Sequence, residues 1–359
     1  MSGGVDSSVA AALLVESGHQ VVGATLKLWG GPADSGCCSV TDVEDARAVA
    51  TRLGIDHHVF NFTDVFEREV VHPYVDAHRR GRTPNPCVEC NRQVKFGALL
   101  ERAGRLGFDV LATGHHARVV SRAGRARLAR GADAAKDQSY VLSMLRRAQL
   151  EHLVLPVGEM TKDAVRDHAR RLGLATAVKP DSQDVCFIES ASGRGGFLAD
   201  RLALHAGEVV DAADGAVVGA VPAVELVTVG QRRGLGVAVD GRRRFALAVD
   251  VAARRVVVGD RQAATSGRVA LEAVTWVDEP LPSGVSTLAQ ASAHGRAMAG
   301  RWEGVGVRFD RPEPLVAPGQ TVALYDPADP DLVVGSGIVA SWGPGTLPRR
   351  GSNRGRGPE

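Results

Sequence analysis

The chain has 359 residues, a formal net charge of +2, and 44% apolar and 23% charged residues, which are ordinary globular values with room for two or three domains. No apolar stretch reaches the length of a membrane span and no signal peptide is visible, so neither a membrane partner nor secretion is expected. Five cysteines, at positions 37, 38, 87, 90 and 186, make no secreted disulfide framework and point to a reducing cytoplasm with thiols kept for chemistry.

The first stretch, Ser2-Gly3-Gly4-Val5-Asp6-Ser7-Ser8, runs into the apolar helix formers Val9 to Val15. A Gly/Ser loop entering a helix cradles phosphate, because glycine lets the backbone approach the anion and free N–H groups point at it. Asp6 repels phosphate, so it either holds a bridging Mg²⁺ or caps the helix. The loop lacks the Gly-Lys-Ser/Thr of a Walker A motif. SGGVDSS resembles the PP-loop of the ATP pyrophosphatase (adenylating) superfamily, whose members cut ATP between its α and β phosphates. The bland alternative is a turn before a helix. A phosphate loop in an α/β fold normally follows a buried strand, so an apolar strand upstream of Met1 is expected.

Gln20 to Leu28 reads as a buried strand and Gly31 to Ser39 as a loop holding Cys37 and Cys38. Thr41-Asp42-Val43-Glu44 fits a capping box opening a helix with Val43, Ala46, Ala50 and Leu53 on one stripe. His58 to Phe62 is a second strand, followed by a helix from Asp64 to His78. Pro84 and Pro86 are expected to forbid helix before Cys87, with Val94 to Leu106 helical again. Phe108 to Thr113 is a strand ending at Gly114-His115-His116. Strand–helix alternation predicts a doubly wound parallel sheet with the ligand at the strand ends, where Gly3, Leu26 and Gly114 converge. Arg118 to Arg130 holds five arginines and no acid, which reads either as a solvated hairpin or as a phosphate-backbone contact. Lys136 to Tyr140 leads a helix and Thr161 to Leu172 is another. From about His205 short Val-rich runs alternate with Gly and Asp turns, predicting two small β-barrel-like domains. The expected domains are 1–200, 201–265 and 266–342, with a disordered Gly/Pro/Arg-rich tail at 343–359.

Cys87 and Cys90 form C-x-x-C, which leaves three readings open. A zinc site needs a second ligand pair, and adjacent Cys37 and Cys38 chelate poorly. A thioredoxin-like pair wants the motif to open a helix in its own βαβ unit. The third is a reactive thiol on a stiff loop beside the nucleotide, with Arg92 and Lys95 favouring the thiolate and Cys186 as its partner. A single cysteine can also be a buried small hydrophobe.

SGGVDSS, GRTPNPCVECNRQVKF, LATGHHAR, KDQSYVL, DSQDVCFI and VGQRRGLG occur in this order. Together they resemble the tRNA-specific 2-thiouridylase (MnmA) family over most of the first 260 residues, with a weaker match beyond. The resemblance implies an α/β PP-loop domain of the adenine nucleotide α-hydrolase-like type, followed by two small β domains. It implies ATP-dependent 2-thiolation of the wobble uridine of tRNAs for Lys, Glu and Gln, with sulfur relayed from a cysteine desulfurase or sulfur-relay protein in the cytoplasm. ATP and Mg²⁺ would sit on Met1, Ser2, Gly3, Gly4, Val5, Asp6, Ser7 and Ser8, with Leu26 and Gly114 lining the nucleotide pocket. Cys186 would carry a persulfide and Cys90 would be the second catalytic thiol. Asn85, Pro86 and Cys87 would contact the target base, and Lys136, Asp137 and Gln138 the tRNA. Many relatives carry Asp at the place of Cys87, which leaves the acid/base role there open. Relatives also present an Arg–aromatic pair where this chain has Ala291-Ser292-Ala293-His294-Gly295, so no site is carried over there. An amidotransferase-type synthetase would use the same loop without sulfur. An RNA-binding module with a degenerate loop is a further alternative, against which the intact SGGVDSS counts.

Overall fold

The computed structural model describes residues 1–29, 40–181, 185–188, 191–235 and 243–342. Cys37, Cys38, Ser182 to Asp184 and the expected tail at 343–359 lie outside the described residues. The chain starts as a loop and enters helix α1 (Val5–Glu16) at Gly4. Strand β1 (Val22–Lys27) follows, then helix α2 (Val40–Leu53), which buries Ala46, Val49 and Ala50, and strand β2 (Asp56–Asn61), parallel to β1. Thr41 and Glu44 lie inside α2, so they do not form the expected capping box at its start. Residues 63–79 are helical, winding as a wide π turn over Glu67–Val71.

The next helical tract starts earlier than the prolines suggested. Pro86 sits at the first position of Pro86–Glu89, where its missing N–H is no loss, and Asn85 Oδ1 accepts the Cys87 and Val88 N–H groups at 3.0 and 3.4 Å. Cys90–Leu99 then winds as π-helix and Leu100–Arg105 as α-helix.

Strand β3 is only Leu111–Ala112, shorter than the expected 108–113, and Phe108 and Val110 stay exposed. A hairpin of β4 (Ala117–Arg122) and β5 (Arg125–Arg130) follows, then β6 (Leu153–Val154), parallel to β3. The parallel sheet is therefore present as two ladders, β1 with β2 and β3 with β6. The start of the chain touches both. The Met1 amino group bonds Ala24 O, Thr25 Oγ1 donates to Met1 O at 2.7 Å, and Gly114, just past β3, abuts the backbone of Asp6 and Ser7.

Strands β7 (Gly207–Asp211), β8 (Val217–Val221), β9 (Phe245–Asp250) and β10 (Arg255–Gly259) form an open sheet in the order β8-β7-β10-β9. Of the two expected barrel-like domains, this one is not closed among the described residues. The second is closed: β11 (Thr265–Trp276), β12 (Ser286–Gln290), β13 (Met298–Trp302), β14 (Gly306–Pro314), β15 (Thr321–Tyr325) and β16 (Val333–Ser341) run in the order β11-β14-β13-β12-β15-β16. Trp302, Phe309, Leu324 and Val339 fill it, so alternate side chains of each strand make its core.

The arginine-rich hairpin resolves into a clamp between domains. Arg118 pairs with Asp331 at 2.9 Å, Arg122 with Asp329 at 3.6 Å, and Arg125 and Arg127 with Asp278 at 3.0 and 2.9 Å. Arg130 pairs with Asp137 at 2.8 Å and lies over the Tyr325 ring at 3.9 Å. Ala129 bridges Leu332 in the barrel. Asp278 also takes Arg147 at 2.7 Å, and its side chain is only 8% exposed. The Arg125 hydrogen bond, with the charges of Arg127 and Arg147, holds the Asp278 carboxyl below the usual range against the effect of its burial.

Its stabilisation is therefore present above the ordinary carboxylate pKa and lost as pH falls through the lowered value. Asp278→Ala leaves three guanidinium groups short of a partner. We expect a loss of about 2 kcal/mol, read in a melting experiment at neutral pH as a fall of roughly 5 °C. An unchanged melting curve would refute the clamp.

Candidate active site

The loop of residues 1–4 is shaped by contacts that small residues permit. Gly3 has φ +68° and a Cβ there would lie 2.5 Å from Asp42 O. At Gly114 a Cβ would lie 2.5 Å from both Asp6 C and Ser7 N. Ser2, Ser7 and Ser8 tie the loop together: Ser2 N donates to Ser7 Oγ at 3.1 Å, and Ser8 Oγ donates to Gly4 O at 2.8 Å. Among the described residues no side chain caps α1, which leaves its first N–H groups and the positive end of its dipole suited to an anion.

Asp6 sits at the centre of an ionic chain. Lys162 Nζ donates to both of its oxygens at 2.7 Å, and His116 Nε2 lies 3.1 Å from Oδ1. Burial would raise the Asp6 pKa, but the hydrogen bonds of His116 and Lys162 outweigh it and hold the carboxylate low. Lys162 also meets Asp181 at 2.8 Å, and Asp181 takes Lys136 at 2.7 Å and Arg166 at 2.8 Å. Burial opposes ionisation of Asp181, yet Lys136 and Lys162 pull its pKa down to about 2. His116 is fixed from both sides by Gln138, whose Oε1 accepts the His116 N–H at 2.8 Å and whose N–H donates to His116 O at 2.8 Å. His115 is pushed down to about 3 by burial, with Lys95 and His116 adding to the effect, so it stays neutral, with Nδ1 2.8 Å from Thr113 Oγ1.

Cys90 is buried and Cys186 half-buried in one aromatic-rich cluster that includes Phe66, Tyr74, Phe187 and Phe197. Leu26 and Leu28, at the end of β1, pack against the same cluster. The loop carrying Cys186 is held at both ends, by Asp181 in the ionic chain and by Phe187, whose ring lies 5.0 Å from that of Phe197 and 5.5 Å from that of Phe66. Cys87, one position into the Asn85-capped helix, is exposed. Arg92 pairs loosely with Glu89 at 3.9 Å, and among the described residues its buried Nε and Nη2 have no hydrogen-bond partner.

The three residues expected to touch tRNA differ in availability. Lys136 reaches Asp181, as described, and Gln138 holds His116. The Asp137 carboxylate is 5% exposed and consumed inside, accepting from the backbone of Gly131 and Ser139 at 3.0 Å, from Ser139 Oγ at 2.8 Å and from Arg130. Its carboxylate is therefore taken up by contacts that hold the turn together.

The chain is 45% identical over 355 residues to the tRNA-specific 2-thiouridylase MnmA of Mycolicibacterium paratuberculosis, covering 95% of this chain and 97% of that protein. The chain belongs to this family. The corresponding protein of Mycobacterium tuberculosis H37Rv is 44% identical, with 95% of each chain covered. Profiles of the tRNA methyl transferase HUP domain, the tRNA methyl transferase PRC-barrel domain and the aminomethyltransferase beta-barrel domain match residues 1–190, 195–260 and 270–339. Among solved structures, the U34-tRNA thiolase NcsA of Methanococcus maripaludis covers 56% of this chain and 62% of its own at 18% identity, with a TM-score of 0.34, too low to carry an argument. The MnmA-family chain thus joins a PP-loop domain of HUP type to two β domains.

Lys162 is the residue that sequence reasoning missed. It follows Thr161, whose Oγ1 accepts the Ala164 N–H at 3.2 Å, and so reads as a surface lysine at a helix start. A deliberate search for a cation able to face both Asp6 and a phosphate could have found it. Lys162→Met should lower the rate of ATP cleavage about 100- to 1000-fold while RNA affinity stays within about twofold, checked by AMP release and by anisotropy. A rate within about threefold of wild type would make Lys162 a purely structural partner. Carboxyl NMR titration of Asp181 should give a midpoint near pH 2, since its stabilising contribution survives until pH falls through about 2.

Proposed function

We propose that this chain is an ATP-dependent tRNA uridine 2-sulfurtransferase, modifying position 34 of tRNAs for Lys, Glu and Gln in the cytoplasm. The carrying observation is that Cys90 and Cys186, far apart in sequence, share one cluster, while the Cys186 loop is tied through Asp181 and Lys162 to Asp6 of the nucleotide loop. The relatives' name, 2-thiouridylase, supports the same reaction.

The C2 oxygen of uracil attacks the α-phosphorus of ATP and pyrophosphate leaves, which turns that oxygen, a poor leaving group, into part of AMP, a good one. The N–H groups at the start of α1 and the loop of Met1 to Ser8 hold the phosphates, with Leu26 and Gly114 beside the nucleotide. Oxygen donors from Asp6 and the loop serines suit Mg²⁺, and among the described residues no cluster of His, Cys, Asp or Glu forms a cage of its own. Asp6 together with the nucleotide's phosphates would hold the ion. Lys162 offsets the charge that grows on the α-phosphate.

A persulfide on Cys186, delivered from a cysteine desulfurase or relay protein, attacks C2 through its terminal sulfur and AMP leaves. The Cys90 thiolate then attacks Cys186 Sγ, breaking the S–S bond to the base. This releases 2-thiouridine and leaves a Cys90–Cys186 disulfide, which a cellular thiol reduces. The base leaves the anticodon stack to reach this chemistry, flanked by Asn85, Pro86 and Cys87, with Lys136 and Gln138 near the RNA. Cys87 stands where relatives carry Asp and, being exposed, can exchange a proton with the base or solvent. An amidotransferase-type synthetase needs neither cysteine, and no observation favours it.

Mass spectrometry of tRNA from a strain lacking this gene should show loss of 2-thiouridine at position 34. The wild-type gene should restore it, and Cys186→Ser should not. Unchanged thiolation in the deletion strain would end this reading.

A further inference from the structure

The C-x-x-C of Cys87 and Cys90 is only half used by the thiolation chemistry. A redox pair of this spacing works at the start of a helix, with one sulfur open to solvent and the other turned inward. The structure supplies both conditions. The helix begins at Pro86 under the Asn85 cap, so Cys87 lies in its first turn, and Cys90 continues it with φ −58° and ψ −45°. Cys87 is exposed, Cys90 is buried, and both are thiols, as is Cys186. We propose that Cys87 is a third working thiol, which takes the disulfide from Cys90 and Cys186 and carries it to the surface for reduction. This rests on the thiolation reading given above.

The helix sets the distance between the first two sulfurs. Residues three apart on one face have Cβ atoms about 5–6 Å apart. A disulfide asks for roughly 3.5–4.5 Å, a difference that tightening of a first turn toward 3₁₀ makes up. The winding also changes at this point, where the π-helical tract Cys90–Leu99 begins.

Tyr74 sets Cys87 against the third sulfur's surroundings. Its ring lies 5.6 Å from that of Phe187, in the cluster shared by Cys90 and Cys186. Burial raises the Tyr74 pKa; Arg194 opposes this and Cys87 adds to it, so Cys87 lies close enough for its charge to be felt at that phenol. All three sulfurs therefore border one group of rings.

Sulfur transfer leaves the oxidising equivalents in a Cys90–Cys186 bond. A thiolate attacks a disulfide only at a sulfur it can reach. Cys90 is closed to solvent, and Cys186, although partly open, lies with Val185, Phe187 and Ile188 against the cluster. Cys87 is the one exposed outright. Its thiolate attacks Cys90 Sγ. The Cys87–Cys90 bond forms and the Cys90–Cys186 bond breaks. Cys186 leaves as a thiolate and takes up the proton that Cys87 gave away, so no electron enters or leaves in this exchange. An external dithiol then attacks Cys87 Sγ and closes its own disulfide. It gives up two electrons and returns Cys87 and Cys90 to thiols. Cys186 is open to reloading before that reduction is complete. Relatives with Asp at this place have no thiol there to make the exchange.

The test uses the full chain without oxygen or reductant, with a cysteine desulfurase and cysteine as sulfur source, ATP, Mg²⁺ and an unmodified lysine tRNA transcript. After one turnover the reaction is quenched with N-ethylmaleimide in denaturant and digested with a protease that cuts after Glu89. The disulfides are then mapped by mass spectrometry. Wild type should show Cys87 bonded to Cys90, with Cys186 alkylated. Cys87→Asp, which supplies the residue many relatives carry, should show Cys90 bonded to Cys186. With thioredoxin as reductant, its ratio of multiple-turnover to single-turnover rate should fall about tenfold below that of wild type. Its melting temperature should match wild type, since the side chain is exposed. Formation of 2-thiouridine by wild type with Cys90–Cys186 as its only disulfide would overturn the relay and leave the thiolation reading standing. An unchanged rate ratio in Cys87→Asp would do the same. Absence of 2-thiouridine with wild type would overturn both.

Discussion

One ammonium group shared between two carboxylates fixes the geometry of the catalytic domain. Lys162 is 8% exposed and meets Asp6 and Asp181 together, at 2.7 and 2.8 Å. Charges taken this far from water are tolerable only when paired, and losing one partner leaves the other buried and uncompensated. The contact therefore pins several separate loops to one point: the start of α1, the His116 turn, the Lys136 turn and the segment leading to Cys186. A phosphate arriving at the α1 N-terminus enters a field already organised by Lys162. Lys162 thus stands between the start of α1 and Asp181.

The barrel is part of the active region. Ser139 Oγ joins the Asp137 carboxylate to the Tyr325 hydroxyl at 3.0 Å, and Tyr140 donates to the carbonyl of Thr321. Burial raises the pKa of both phenols, that of Tyr325 to about 12, so they serve as neutral donors at any working pH. Together with the arginines of the hairpin, these contacts seat the barrel on the back of the loop that carries Asn85 and Cys87. The cysteine loop is stiff because two domains hold it, with proline supplying only part of the constraint.

This explains what could be read from the residues and what could not. The Gly-rich loop and the β-rich second half are legible because they rest on local signals: glycines where a Cβ would clash, and valine runs of period two. Lys162 was illegible because its meaning lies in partners more than 150 positions away, at Asp6. The arginine hairpin misled for the same reason: its acids, Asp278, Asp329 and Asp331, sit in another domain. Pro86 was read as a barrier when the Asn85 cap makes it a helix start. Strand 108–113 reads well from its apolar residues, yet only Leu111 and Ala112 find a ladder partner, since pairing is a property of neighbours.

The different exposure of the two thiols bears on the order of events. A sulfur brought by another protein can load only a thiol it can reach, and Cys186 is partly open while Cys90 is buried. The buried thiol is shielded from solvent oxidants. It sits in the cluster that holds Phe187, the residue next to Cys186, so one apolar cluster carries both thiols.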